Sequence, residues 1–419
     1  KWRALRVAFD RFDRTADIAR VTAFAAFREK GGAKLWRFGC FEVLRCRFRR
    51  PWWEWPEPWR SADFAACESL RTTEDNTEII FVAFVQWIAD EQLQACRDRA
   101  AQLGMNVGLY LDVAVGVQPD GFDAWNEQAA ISRNLAVGAP PDALNTAGQN
   151  WGLAGFNAAG LQSSGFAPFR DMLRAAMRHA GAIRLDHILG LKRLYLVPRG
   201  FGPRDGAYVQ MPFQALLAVV AQESTSSRCV VIGEDLGTVP VGFRDAIAAW
   251  GIWSYRVMMF ERDGSGRFLG IDHYGDKALV TFNTHDLASF EGWRSSGDLA
   301  LKHSLGIDPG ESAEARHHAR QMLSDVLRGE AIEQDDYFGV LRYLAKAKSR
   351  LLAVALDDLL AVSEQINVPG TVDQYPNWRR RLPLTLDEIA ASVDGGALDI
   401  ALHSRHAARV GSESGRTPR

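Results

Sequence analysis

The chain has 419 residues, 47% of them hydrophobic and 24% charged, which is enough for a barrel-sized α/β domain with insertions and far from the composition of a disordered or collagenous chain. The formal net charge of −2 leaves no basic surplus of the kind that drives binding to a phosphate backbone, so nucleic acid is not expected as a partner. No apolar run approaches the roughly 20 residues that span a bilayer, so no membrane partner is expected either.

In chain order, residues 1–100 read as mostly helical. The chain opens on Lys1 inside an amphipathic pattern carrying Trp2, Leu5, Val7, Phe9 and Phe12, with no apolar stretch of the signal-peptide type; a longer parent protein is therefore expected. A loop at 49–59, RRPWWEWPEPW, breaks the helices because its prolines cannot continue one, and its four tryptophans are expected mainly to pack rather than to stack on ligand. Phe81, Phe84, Val85 and Ile88 follow the i, i+3, i+4, i+7 spacing of one helix face.

Beyond Leu103-Gly104 the texture changes to strand, loop and helix units, the pattern of a parallel sheet with crossover helices. The expected strands are 107–115, 182–189, 229–232, 255–260, 279–283 and 351–356, with helices over 169–179 and 213–222 between them. The fold class expected is therefore α/β, a parallel sheet or a barrel of the TIM type, for which the chain is long enough. The expected domain is 1–404, comprising the helical region, the strands of 107–356 and a closing segment at 365–404. A Ser-, Gly- and Arg-rich tail at 405–419 is expected to be disordered.

Three acids each follow directly on a short β-branched or apolar run: Asp186 in AIRLDHILG, Glu234 in VVIGEDLGTVP and Asp286 in TFNTHDLASF. In a parallel barrel these positions line the active face. A pair of carboxylates is the minimum equipment for cleaving a glycosidic bond. Arg184, two residues before Asp186, shares its face by the period of two and favours the ionised carboxylate. Asp235 adjoins Glu234, but consecutive strand residues point to opposite faces, so only one of the two faces the site. Taken singly, Asp186-His187 also reads as a surface pair, His285-Asp286 as a turn cap, and Asp112 as a residue that only orients its loop. Five cysteines without a CxxC pair suit reduced thiols and a cytoplasmic location, and no spacing of His, Cys and Asp suggests a metal.

The segments GLYLDVAVGVQPDGFDAW, VGAPPDALNTAGQNWGLAGF, RLDHILGLKRLYLVPRG, DGAYVQMPF, VVIGEDLGTVPVGF, NTHDLASF and VPGTVDQYPNWRRRL, in this order from Trp2 to Leu382, resemble the 4-α-glucanotransferases of glycoside hydrolase family 77. The resemblance implies a (β/α)8 barrel of the α-amylase clan in which Asp112, Asp186, Glu234, Phe260, Asp286 and Leu351–Leu356 mark strands three to eight. Strands one and two have no counterpart in this sequence.

It further implies that Asp186 is the nucleophile, Glu234 the acid/base and Asp286 the third carboxylate. It is this motif match that selects Glu234 and leaves Asp235 as structural, capping the turn at Gly237. Asp112 and His285 would hold hydroxyls of the sugar before the cleaved bond, and His187 would contact the acceptor side. A loop carrying Pro140, Pro141, Asp142, Gln149, Asn150, Trp151 and Gly152 would cover the cleft and favour a sugar over water. Retention of configuration would place the two reacting carboxyl groups about 5 to 5.5 Å apart. The implied activity is transfer of α-1,4-glucan segments from a maltodextrin donor to a glucose or maltodextrin acceptor, with no cofactor. Hydrolysis of α-glucans by the same acids, or an inactive fragment, are the competing expectations. Tyr375 to Arg379 matches a family signature and is expected to close the barrel.

Overall fold

The computed structural model describes residues 1–141, 147–393 and 395–413. The chain forms two compact units, Lys1–Pro140 with Asn150–Val231, and Pro141–Gln149 with Ile232–Arg419.

The first unit begins with four helices, α1 (Trp2–Thr15), α2 (Ile18–Phe48), α3 (Phe64–Ser69) and α4 (Asp75–Gln102). Asp17 caps α2 and Asp63 caps α3, each side chain accepting a hydrogen bond from a free backbone N–H of the first turn. Helix α2 kinks at Gly32, whose φ of 53° is a left-handed conformation that glycine adopts without a Cβ penalty. Phe9, Phe24, Phe81, Phe84 and Trp87 bind α1, α2 and α4 into one aromatic core. A second core gathers Trp36, Phe41, Leu44, Trp52, Trp55 and Trp125. The tryptophan-rich loop is thus packing material. The Trp52 indole N–H donates to Pro119 O and that of Trp55 to Arg50 O, so burial leaves neither donor unsatisfied.

The strands are β1 (Tyr110–Val113), β2 (Ile131–Ala139), β3 (Gln149–Phe156), β4 (Ala182–Leu185), β5 (Arg193–Pro198), β6 (Ala207–Gln210), β7 (Val230–Gly233), β8 (Trp253–Val257), β9 (Ala278–Thr281) and β10 (Leu351–Leu352). The six expected parallel strands are β1, β4, β7, β8, β9 and β10; all but β7, which is shifted by one residue at unchanged length, are shorter than the expected strand. After Leu185 the chain turns into a 3-10 helix at Ile188–Leu191, and after Val257 into another at Met258–Phe260. These turns end pairing where the chain leaves the sheet for the candidate site.

Within the first unit β1 and β4 pair in parallel, Asp112 opposite Arg184 and Val113 opposite Leu185. Strand β4 is buried on both faces, as a strand covered by helices must be. The helices Ala167–Met177 and Phe213–Ser227 are the crossover elements before β4 and β7. Gly181 precedes β4 at a very close approach: a Cβ there would lie 1.7 Å from Val107 O.

A second sheet, in the order β3-β2-β5-β6, was not anticipated; β2 with β5 and β5 with β6 are antiparallel. It takes up the end of the segment expected as one loop, 140–152. Gln149, Asn150, Trp151 and Gly152 begin strand β3, because main-chain pairing with β2 satisfies groups that a loop would leave to water.

In the second unit Ile232 and Gly233 of β7 pair in parallel with Trp253 and Ser254 of β8. Strand β9 adds to β8, with Val257 opposite Thr281, and β10 adds to β9. Met258, Tyr274, Phe282, Phe290, Trp293, Leu341 and Tyr343 form the core beside these strands. The last helix, Gly395–Glu413, runs through the first part of the segment expected to be disordered. Ala397, Leu398, Ile400, Ala401 and Leu402 supply the helix-forming composition at its start. Among the described residues no helix is long and apolar enough to cross a membrane.

Candidate functional site

The first unit brings Asp112, Arg184, Asp186, His187 and Trp151 together. Register does the first part of the work: Asp112 on β1 faces Arg184 on β4, and the Arg184 Nη1 donates to both Asp112 oxygens at 2.8 and 2.9 Å. Pleating does the second. Asp186 returns to the same side two residues later, and its Oδ1 lies 2.8 Å from Arg184 Nη2. One buried guanidinium thus serves two partly exposed carboxylates, an arrangement that a planar fork of donors suits and an ammonium does not.

His187 has a φ of 45°, a left-handed conformation. Its ring meets the Trp151 indole edge-on at 5.2 Å. Below Asp186 and His187 is a small apolar cavity of about 50 Å³, lined among others by Val113, Leu185, Leu194, Met211 and Leu216. Burial, with the charge of Arg193 nearby, pushes the His187 ring down to a pKa of about 4, so the imidazole is neutral at physiological pH. Asn150 is exposed, its Oδ1 accepting from Gly152 N at 3.0 Å. Pro141 is exposed; Asp142 lies outside the described residues.

In the second unit the neighbours Glu234 and Asp235 part company as alternation requires. Asp235 is fully buried, accepting from Arg244 Nε and Ser254 Oγ, both at 2.6 Å, and from Tyr255 N at 3.1 Å. It therefore ties β7 to β8 rather than capping the turn at Gly237, as its sequence position had suggested. Glu234 keeps 7% of its surface exposed and its Oε1 accepts from Leu236 N at 3.0 Å.

Asp286 sits in a short loop after β9. Its Oδ1 accepts from Asn367 Nδ2 at 2.6 Å, its Oδ2 lies 3.3 Å from His285 Nε2, and its carbonyl accepts from Gln365 Nε2 at 3.2 Å. Both ends of this loop are fixed to one buried carboxylate: Asp358 accepts from Asn283 Nδ2 at 3.0 Å and from Phe290 N at 2.7 Å. Burial is the main reason that Asp358 is raised to a pKa of about 6. A cavity of about 330 Å³ opens here, with Thr284, His285, Asp357, Asp358, Glu364 and Gln365 in its wall.

Sequence reasoning missed Gln365, Asn367, Asp358 and Trp378. The segment that bears three of them has no periodicity to betray it. The motif match had singled out Tyr375 to Arg379, but only as barrel closure. In the fold Tyr375 donates to Gln365 O at 2.5 Å, Asn377 accepts from Val368 N at 2.9 Å, and the Trp378 ring lies 5.2 Å from that of His285. Among the described residues no group of three or more His, Cys, Asp or Glu side chains is placed to hold a metal ion.

Parallel strands with crossover helices, carrying Asp112 and Arg184 near their ends in one unit and followed directly by Glu234 in the other, are those of an α/β-barrel-type protein. The model of glycoside hydrolase family 77, described as 4-alpha-glucanotransferase, matches residues 1–385. A 4-alpha-glucanotransferase of Haemophilus influenzae is 36% identical over 412 residues, covering 91% of this chain and 59% of the relative. One of Mycobacterium bovis is 36% identical over 400 residues, covering 92% of this chain and 55% of the relative. The chain therefore spans little more than half the length of these curated relatives. The amylomaltase crystal structure from Corynebacterium glutamicum superposes with a TM-score of 0.79 at 30% identity, covering 96% of this chain and 58% of that one. The amylomaltase of Streptococcus agalactiae, at 18% identity and a TM-score of 0.77, is a likeness of fold. The chain belongs to glycoside hydrolase family 77.

Proposed function

We propose that the chain carries the reacting groups of a 4-α-glucanotransferase that moves α-1,4-glucan segments between maltodextrins, in the cytoplasm. The observation that carries this reading is Arg184 holding Asp112 and Asp186 together at the exits of two paired strands. A guanidinium at this distance stabilises Asp186 as the carboxylate a nucleophile must be.

In this mechanism an Asp186 oxygen attacks the anomeric carbon of the donor while the C1–O bond to the leaving chain breaks. Glu234 delivers its proton to the departing oxygen. The product of this half is a β-glycosyl ester on Asp186 and a carboxylate at Glu234. The 4-hydroxyl of an acceptor then gives its proton to Glu234 and attacks C1 from the opposite face. Asp186 leaves, and an α-1,4 bond forms with net retention. Asp286, oriented by Asn367 and Gln365, and His285 beside it bind hydroxyls of the reacting sugar, contacts that tighten as the ring flattens toward the oxocarbenium geometry. Arg184 orients Asp112 and Asp186. His187, neutral and edge-on to Trp151, offers a hydrogen-bonding nitrogen without a charge. Pro141, Asp142, Gln149 and Asn150 belong to the proposed cover that favours a glucose or maltodextrin acceptor over water.

Incubation of the chain with maltotriose tests this. Glucose together with a ladder of longer maltodextrins is the expected product pattern, and Asp186→Ala is expected to abolish it. Glucose and maltose alone would mean hydrolysis, and an unchanged maltotriose pool would reject the activity for this chain.

A further inference from the structure

Trp378 is a large apolar side chain left 61% exposed, in a backbone conformation that a bulky residue rarely adopts, with φ at 60°. Such strain persists only where surrounding structure fixes it, and it collects at functional sites. Here the fixing is visible. Trp378 N donates to Ile366 O at 3.0 Å, and the Asn377 side chain donates to Thr371 O at 3.0 Å and Oγ1 at 2.8 Å while accepting from Val368 N. The segment so braced is the one whose Gln365 and Asn367 hold Asp286. The indole is therefore carried by the same scaffold as the carboxylate, tilted 52° to the His285 ring.

From this placement we infer that Trp378 is an aromatic platform for the glucan chain, stacking against a glucosyl unit next to the one contacted by His285 and Asp286. The inference rests on the glucan-transfer reading and names a specificity-determining residue within it. A pyranose presents a face of C–H groups between rims of hydroxyls. An exposed indole matches that face, while the hydroxyl rim finds the polar wall of Thr284, Asp357 and Glu364 in the neighbouring cavity. The strained backbone has a role in this reading: it aims the ring outward past His285 and keeps it from packing inward.

Maltoheptaose binding, measured calorimetrically with chains that carry Asp186→Asn to prevent turnover, tests the inference. Trp378→Ala and Trp378→Gly are expected to weaken binding about tenfold, and Trp378→Phe to stay within about threefold of the parent. Glycine suits a left-handed φ, so a binding loss in Trp378→Gly with an unchanged melting temperature is a loss of the ring and not of the fold. Unaltered affinity in both truncations, beside a parent that binds, overturns the role of Trp378 alone. A parent that does not bind maltoheptaose overturns this role and the glucan reading together.

Discussion

Asn367 donates from Nδ2 to Oδ1 of Asp286 at 2.6 Å, across 81 residues of sequence. This contact fixes the direction of a carboxylate that stands on a loop. On the proposed mechanism, in which Asp286 acts in the transition state, replacement of Asn367 by Ala is expected to lower kcat for maltotriose transfer on the order of a hundredfold, the cost of a small misplacement of such a group. KM should move far less. A change confined to KM, read from steady-state kinetics, would mean that Asn367 only contributes to ground-state binding.

Arg184 is expected to resist even its nearest substitute. Lysine has one point charge where the guanidinium makes contacts to both Asp112 and Asp186, so Arg184→Lys should lose at least about tenfold in kcat/KM. Activity equal to that of the parent would show that the two carboxylates do not depend on the fork.

The buried Asp358 makes a signed prediction about stability. Its pKa is raised to about 6 in the fold, above the ordinary carboxylate value near 3.8, so between these values the folded state binds more protons than the unfolded one. Its stabilising contribution is present below about pH 4 and is lost as pH rises through about 6, a change on the order of 2–3 kcal/mol. Urea denaturation between pH 4 and 7 should show this fall. Asp358→Asn should flatten it; an identical pH profile in that variant would contradict the assignment.

His187 has the opposite sign. Its ring is lowered to about 4 from 6.5, so the stability of the neutral form is present above about 6.5 and lost as pH falls toward 4. NMR titration of labelled histidines should find the His187 ring still neutral at pH 5. A protonated ring at that pH would show that water or a carboxylate reaches it.

Trp55 tests the packing of the proline-broken loop. It is 1% exposed, in contact with Phe41, Phe48 and Trp125, and its indole donor is satisfied. Trp55→Ala should cost about 3–5 kcal/mol in chemical denaturation, the usual range for truncating a buried aromatic. A cost below about 1 kcal/mol would mean that the loop is peripheral to the core.

The parallel strands were legible because each is a short apolar run followed by an acid or a turn, and for β4 and β9 burial on both faces demands that composition. The contact of Arg184 with Asp186 was legible for the same reason, a period of two. The β3-β2-β5-β6 sheet was not. QNWG reads as loop and SRNLAVGA prompts no expectation, since both carry Asn and Gly, and their strand state comes from long-range pairing that local propensity does not encode. Gln365, Asn367 and Trp378 stand on irregular backbone, where no periodicity distinguishes a residue that braces the site from one that fills a bend.

Gly181 leads into β4 with a backbone oxygen of Val107 where its side chain would be. Any larger residue would force the two backbones apart just upstream of Arg184 and Asp186, shifting both charges relative to Asp112 without touching any of the three. The relative placement of Arg184, Asp186 and Asp112 thus hangs on a position that contributes no side chain at all, and a single added methyl group there would be enough to disturb it.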